Sequence, residues 1–125
     1  MANRKKIILT EDDLAMRDAM RFLLESEDFE VTVFSNGDRL LKGFYEIPDL
    51  FILDKQLSGV DGLDICREIR NKPDTAGIPI IIISASSLVA PFALKAGASA
   101  FLEKPFKRNE ILELLSALLK EDEEK

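Results

Sequence analysis

The sequence contains no histidine and no tryptophan, and it has one cysteine and one tyrosine in 125 residues. Without histidine, neither a Ser-His-Asp nor a Cys-His triad can form, and the usual zinc ligands are missing. The single cysteine, Cys66, excludes an intramolecular disulfide and suits a reducing compartment. Its neighbours Ile65 and Ile69 favour simple core packing. Any chemistry must therefore depend on carboxylates, hydroxyls and amines.

Long apolar runs are also missing, since none approaches the ~20 residues that a membrane helix needs. Charge returns at Glu11 after only a few apolar residues, which argues against a signal peptide. The net charge of −6 argues against direct nucleic-acid binding, which needs clustered Lys and Arg. With 46% apolar and 32% charged residues, we expect an ordinary globular protein that is cytoplasmic and does not bind membranes.

Five β-rich segments alternate with segments of helical periodicity. Strands are predicted over residues 6–10, 30–34, 49–53, 79–83 and 99–102. Helices are predicted after Asp13, with Leu14, Met20, Leu23 and Leu24 at helical spacing, and over residues 37–46, 62–70 and 107–120. This alternation predicts a doubly wound α/β fold, in which a parallel sheet carries helices on both faces. We expect one domain over residues 1–125, with its core at about 5–120.

Four of the predicted strands are followed by reactive polar residues. Glu11, Asp12 and Asp13 follow the first, Asp54 the third, Ser84 the fourth, and Lys104 the fifth. Because the carboxyl ends of parallel strands share one edge of the sheet, these side chains should meet there. Carboxylates, a hydroxyl and an ammonium group together suit a divalent cation and a phosphoryl group.

These segments give the chain a family likeness over essentially its full length. The matching motifs are Ile8–Asp13, Leu53–Gly62, Pro79–Ala85, Ala96–Ala98 and Phe101–Phe106. In order and at the strand ends, they resemble the response-regulator receiver domain of two-component signalling, as in single-domain chemotaxis regulators. The resemblance implies a flavodoxin-like (βα)5 fold with strand order 2-1-3-4-5.

The resemblance also implies a role for each acidic residue. Asp54 corresponds to the phosphoacceptor, a carboxylate nucleophile that forms an aspartyl phosphate. Asp12 directly and Glu11 through water would hold Mg²⁺ (or Mn²⁺), together with Asp54 and the backbone carbonyl of Gln56. Asp13 falls just outside the pocket in the family's usual register, so we expect it to cap the first helix.

Three further residues complete the implied site. Ser84 and Lys104 would receive the transferred phosphoryl oxygens, and Phe101 would be the aromatic switch that turns inward when the Ser84 hydroxyl moves. Taken singly, each also fits a structural role: a turn hydroxyl, a surface lysine or a core phenylalanine. In the family the bond corresponding to Lys104-Pro105 is typically cis.

The implied function is a phosphoacceptor signalling switch, not an enzyme for other substrates. The phosphoryl donor would be a histidine kinase or a histidine phosphotransfer protein. With no output domain in this sequence, a protein effector would be bound in trans. Two alternatives are a receiver-like interaction module that is never phosphorylated and a haloacid-dehalogenase-like phosphohydrolase. The latter would require a second acid where this chain has Gln56, and also a cap domain.

The chain departs from the family pattern in two places. Ser58 stands where proline is frequent, and the segment from Ser84 to Gly97 is shorter than usual. We expect a short fourth helix beginning near Pro91. Four apolar residues of this segment should in part form a surface patch beside the switch position, unless the segment sinks inward and buries them all. They are Leu88, Val89, Phe92 and Leu94.

Gln56 and Ser86 flank the pocket at positions that tune phosphate lifetime in the family. The acidic segment Glu121–Glu124 and the basic segment Arg4–Lys6 are expected to be solvated ends.

Overall fold

A five-stranded parallel sheet forms the centre of the structure, a computed structural model that describes residues 4–57 and 59–119. The strands are β1 (Lys6–Thr10), β2 (Glu30–Phe34), β3 (Leu50–Asp54), β4 (Gln56–Leu57), β5 (Val60–Asp61), β6 (Ile80–Ser84) and β7 (Ala100–Glu103). The main sheet has the order β2-β1-β3-β6-β7, and β4 and β5 pair separately as a short antiparallel ribbon. Counting only the long strands, this is the predicted order 2-1-3-4-5, and the flavodoxin-like fold is confirmed.

Helices cover both faces of this sheet. They are α1 (Leu14–Ser26), α2 (Asp38–Lys42), α3 (Gly62–Asn71), α4 (Ala90–Lys95) and α5 (Arg108–Leu119), with a 3-10 turn at Ser87–Val89. Buried side chains of α1 and α5 pack on one face, and those of α2, α3 and α4 on the other. In the part of the chain that the structure describes, no helix is both long and apolar enough to cross a membrane.

The β6 strand shows why the sheet needs two helical layers. Ile80 and Ile82 belong to the cluster beneath α3, whereas Ile81 and Ile83 belong to the cluster beneath α1 and α5. Both sets are fully buried, as expected for a central strand whose side chains alternate between faces. Cys66 lies in the first cluster and is buried, which confirms the core-packing interpretation.

The predicted extent of the second helix is wrong. It was expected over residues 37–46 but ends at Lys42, where Gly43 adopts a left-handed backbone with φ of 77°. Glycine reaches this conformation without a Cβ clash, so it ends the helix. The apolar residues beyond it belong to a loop instead, and the ring of Tyr45 meets that of Phe51 edge-on at a centroid distance of 5.7 Å.

Other boundaries differ by one or two residues, as is common at element ends. Strands β3, β6 and β7 each begin and end one residue later than predicted, so that Asp54 and Ser84 are the last residues of their strands. The β4–β5 ribbon was not predicted. Ser58, Lys120 and the acidic segment Glu121–Glu124 lie outside the described residues.

The fourth helix is short, as predicted, and Pro91 lies in its first turn. Leu88, Phe92 and Leu94 are exposed, at 79%, 60% and 56% of their surface, whereas Val89 is half-buried against the core. The alternative that the shortened segment buries all four apolar residues is therefore wrong.

Candidate functional site

The polar residues predicted at the strand ends meet in one cleft at the carboxyl edge of the sheet. The cleft has a volume of about 420 Å³. Its lining consists of Glu11, Asp12, Asp13, Asp54, Lys55, Gln56, Ser84, Ala85, Ser86, Val89 and Lys104. Phe101 is absent from this lining among the described residues. The structure thus brings together every predicted site residue except the proposed switch aromatic.

Strand pairing brings these side chains together. Asp54 ends β3 beside Ile83 of β6, and Ser84 ends β6 beside Glu103 of β7. The next residue, Lys104, donates its backbone N–H to the Ser84 carbonyl at 2.8 Å. This backbone hydrogen bond just beyond the end of β7 therefore fixes the position of the Lys104 backbone, from which its side chain extends. The Lys104-Pro105 peptide bond is cis, as the resemblance implied.

Two buried carboxylates share the ammonium group of Lys104. Its Nζ lies 2.5 Å from Asp54 Oδ2 and 3.0 Å from Glu11 Oε1. Only 3% of Asp54 and 1% of Glu11 is exposed. The other Asp54 oxygen, Oδ1, accepts the backbone N–H of Gln56 at 2.8 Å. Each oxygen of the Asp54 carboxylate therefore accepts a hydrogen bond from a different donor, one a charged side chain and the other a backbone amide.

Burial and the adjacent charges shift two pKa values in this cluster. Burial, and then the neighbouring Asp54 carboxyl group, raise the pKa of Glu11 to about 7. Burial alone would lower the pKa of Lys104, but its hydrogen bonds to Asp54 and Glu11 outweigh that effect and the pKa is raised. Lys104 is therefore a fixed cation at neutral pH, whereas the buried Glu11 carboxyl group ionises less readily than an exposed one.

Asp13 caps α1 and also orients Glu11. Its side chain accepts the backbone N–H of Met16 at 2.9 Å, which places it at the N-cap as predicted. Its own backbone N–H donates to Glu11 Oε2 at 3.2 Å. The start of the helix is thereby coupled to the buried acid.

Gly62 is a positioning residue that the sequence motif contained but to which no role was given. A Cβ atom added there would lie 2.2 Å from the Asp54 carbonyl oxygen and 3.0 Å from Lys55 Cα. The Gly62 N–H also donates to the Lys55 carbonyl at 2.8 Å. Only glycine permits α3 to approach the end of β3 this closely.

The Ser84 hydroxyl accepts the backbone N–H of Ser86 at 3.1 Å. Phe101 pairs with Ile82 in the sheet, packs half-buried against the cluster beneath α3, and lies on the same sheet face as Ser84. The Ser84 hydroxyl and the Phe101 ring are therefore one pleat apart on neighbouring strands.

The donor set of the cleft fits a hard divalent cation. Among the described residues, no three acidic, histidine or cysteine side chains are placed to hold a metal by themselves. Mg²⁺ does not need three, because it keeps several waters and is commonly bound by one or two carboxylates plus phosphate oxygens. Burial, and then the Asp54 carboxyl group, raise the pKa of Glu11, and a bound cation would oppose this by favouring the charged carboxylate.

A parallel sheet of this order, with an acidic cleft at its carboxyl edge, defines a flavodoxin-like protein with its site at a topological switch point. The family model of the response regulator receiver domain matches residues 7–116. The chain belongs to this family.

Similar proteins include complete regulators and isolated receiver domains. The phosphate regulon transcriptional regulatory protein PhoB of Rhizobium meliloti is 36% identical over 92% of this chain and 52% of its own length, so the chain spans about half of that relative. The receiver domain of a Pseudomonas aeruginosa sensor histidine kinase, with magnesium in its active site cleft, is 28% identical with a TM-score of 0.85, over 93% of this chain and 98% of its own. TrrA of Thermotoga maritima, in complex with Mg²⁺-BeF, is 31% identical with a TM-score of 0.82. The match covers 92% of this chain and 99% of the TrrA chain.

Proposed function

We propose that this receiver domain is a signalling switch in which Asp54 accepts a phosphoryl group from a phosphohistidine. An oxygen of the Asp54 carboxylate bonds to phosphorus while the P–N bond to the donor histidine breaks. The imidazole nitrogen keeps the bonding electron pair and becomes neutral by taking a proton from solvent. The donor is a histidine kinase or a histidine phosphotransfer protein, and the chain has no histidine of its own to serve.

The observation that carries this proposal is the position of Lys104 against Asp54. An ammonium group 2.5 Å from the nucleophilic carboxylate is placed to bind an oxygen of a phosphoryl group transferred to that carboxylate. Phosphoryl transfer depends mainly on positioning and on stabilising negative charge, and a fixed cation does both. The Ser84 hydroxyl, at the end of the adjacent strand, is a further donor that lines the same cleft.

Glu11, Asp12, Asp54 and the Gln56 backbone carbonyl are the groups that would hold Mg²⁺ (or Mn²⁺). When bound, the cation would neutralise carboxylate and phosphoryl charge in a cleft where burial and Asp54 already raise the pKa of Glu11. The structural relatives that contain magnesium support this assignment for the chain.

Phosphorylation would act on partners through Ser84 and Phe101. When the Ser84 hydroxyl turns toward the phosphoryl group, Phe101 packs further inward and the surface around α4 changes. Coupling of this kind amounts to ~1–3 kcal/mol, enough to bias a binding surface without remaking the fold. We place the protein in the cytoplasm, where it would act on a protein effector and catalyse only its own phosphorylation and dephosphorylation.

Several relatives are named as DNA-binding response regulators, and this chain spans about half of their length. DNA binding is a property of those proteins. For the described residues we propose protein partners, since the chain carries a net charge of −6 and its basic segment Arg4–Lys6 is only three residues long.

Intact-mass spectrometry after incubation with acetyl phosphate and Mg²⁺ tests the proposal. One added phosphate is expected in the wild type, none in Asp54→Asn, and none after chelation. Asp64→Asn, an exposed acid on α3, is the matched control and should be phosphorylated normally. Phosphate that persists in Asp54→Asn, or that is insensitive to chelator, would contradict the proposal. No phosphate in the wild type would favour the unphosphorylated interaction module.

A further inference from the structure

Val89 is the one large apolar side chain in the described lining of a polar cleft. Nine of the other lining residues are charged or polar, and the remaining one is Ala85. The Val89 side chain is half-buried and also packs against the core cluster beneath α3. It therefore forms a fixed wall between the cleft and the hydrophobic interior.

A series of hydrogen bonds fixes the position of Val89 relative to Ser84. The backbone N–H of Ser86 donates to Ser84 Oγ at 3.1 Å, and the Ser86 side chain accepts the N–H of Leu88 at 3.3 Å. The N–H of Val89 donates to the Ser86 carbonyl at 3.2 Å, which closes the 3-10 turn. The shortened segment thus brings Val89 to the cleft within one tight turn of a site residue.

Access of water to this cleft decides how long an aspartyl phosphate survives. In hydrolysis a water oxygen bonds to phosphorus, the bond from phosphorus to the Asp54 oxygen breaks, and the carboxylate keeps the electron pair. The products are the Asp54 carboxylate, inorganic phosphate and a proton released to solvent. At about 420 Å³ the cleft has room for several waters, each of which occupies about 30 Å³ in the liquid. Burial of Asp54 alone therefore does not exclude the reaction.

We propose that Val89 shields the phosphoryl group on Asp54 from water and thereby sets the lifetime of the phosphorylated state. This inference rests on the phosphoacceptor function proposed above. Methyl groups offer an attacking water no hydrogen bond, and their volume keeps it from the phosphorus. Val89 limits hydrolysis without taking part in the transfer from the donor, whose reacting atoms contact Asp54, Lys104 and Ser84.

Two substitutions of opposite expected effect test the proposal. Val89→Thr keeps the side-chain shape but replaces a methyl group with a hydroxyl that can hold a water, so the half-life should fall by about tenfold. Val89→Ile adds a methylene to the wall and should lengthen the half-life. The protein is phosphorylated with acetyl phosphate and Mg²⁺, freed of donor, and followed by intact mass. Leu88→Thr, in the same turn but 79% exposed, is the control and should keep the wild-type half-life.

The opposite signs separate shielding from a merely structural role. If Val89 only packs, both substitutions shorten the half-life in proportion to a loss of thermal stability, and the inference is overturned. Wild-type half-lives in both variants overturn it as well. In either case the wild type is still phosphorylated on Asp54, so the proposed function stands. A wild type that gains no phosphate instead refutes the proposed function, and this inference with it.

Discussion

At the residue scale, the buried hydroxyl of Thr10 has no hydrogen-bond partner among the described residues. It lies at the end of β1, next to the acidic residues of the cleft, and is fully buried. A buried hydroxyl without a partner loses its hydration and gains nothing in return. Thr10→Val should therefore raise the free energy of unfolding by about 1 kcal/mol, as measured by urea denaturation.

Thr75→Val is the matched control for this change. The Thr75 hydroxyl is also buried, but it donates to the Ile69 carbonyl at 2.7 Å. The same substitution should therefore lower the free energy of unfolding, by about 1–2 kcal/mol. A loss of stability in Thr10→Val as large as that in Thr75→Val would show that the Thr10 hydroxyl does have a partner.

Gly62 gives a second residue-scale prediction. A methyl group there would meet the backbone of Asp54 and Lys55, neither of which can move without displacing the proposed phosphoacceptor. We expect Gly62→Ala to cost about 1–3 kcal/mol of stability and to slow phosphorylation by acetyl phosphate. Gly77→Ala, where an added Cβ meets nothing within 4 Å, should change neither measurement. Equal behaviour of the two variants would argue against a positioning role for Gly62.

The acid, hydroxyl and ammonium groups of the cleft could be predicted because each lies at the end of an apolar run. The change from apolar to polar residues at that point is visible in the sequence. The roles of Gly62 and Val89 could not be predicted in the same way. The role of Gly62 depends on how closely α3 approaches the end of β3, and that of Val89 depends on the conformation of a single turn. The raised pKa of Glu11 depends on burial and on Asp54, which is distant in sequence.

At the element scale, the second and fourth helices show where periodicity fails as a guide. In the second helix, the apolar residues beyond Gly43 continue the helical spacing but pack as part of a loop. The helix ends where Gly43 adopts the left-handed conformation. In the fourth, most of the apolar residues have no core to face, because six residues of helix can bury only one narrow stripe. Ala93 is the member of that helix that is fully buried.

The exposed side chains of this segment yield a prediction about α4. Phe92→Asp should change the free energy of unfolding by no more than about 0.5 kcal/mol, because the ring is mostly in water. Val89→Asp should cost about 1–3 kcal/mol, because it places a charge against the core. If the patch of Leu88, Phe92 and Leu94 binds a partner or a second copy, Phe92→Asp should abolish that association in sedimentation experiments. Severe unfolding of Phe92→Asp would show that the ring is buried.

At the scale of the whole molecule, the alternation of the long strands with helices predicts the parallel sheet, and the family resemblance implies its strand order. Right-handed crossovers leave few ways to arrange five parallel strands with helices on both faces. The same order places the ends of β1, β3 and β6 side by side, and so creates the cleft. Folding of the sheet therefore also concentrates carboxylates at one edge, in a molecule whose net charge is already −6.

That concentration of charge predicts that Mg²⁺ stabilises the unphosphorylated fold. Four carboxylates and two lysines line the cleft, and the raised pKa of Glu11 shows that the lysines do not fully compensate its burial and the Asp54 charge. A cation that binds only the folded state adds about 1.4 kcal/mol at ten times its dissociation constant, by mass action. Thermal melts with and without Mg²⁺ should show this gain in the wild type and in Asp64→Ala, but not in Asp12→Ala. An unchanged midpoint in the wild type would contradict binding of Mg²⁺ to the unphosphorylated fold. A full response in Asp12→Ala would instead remove Asp12 from the proposed metal ligands.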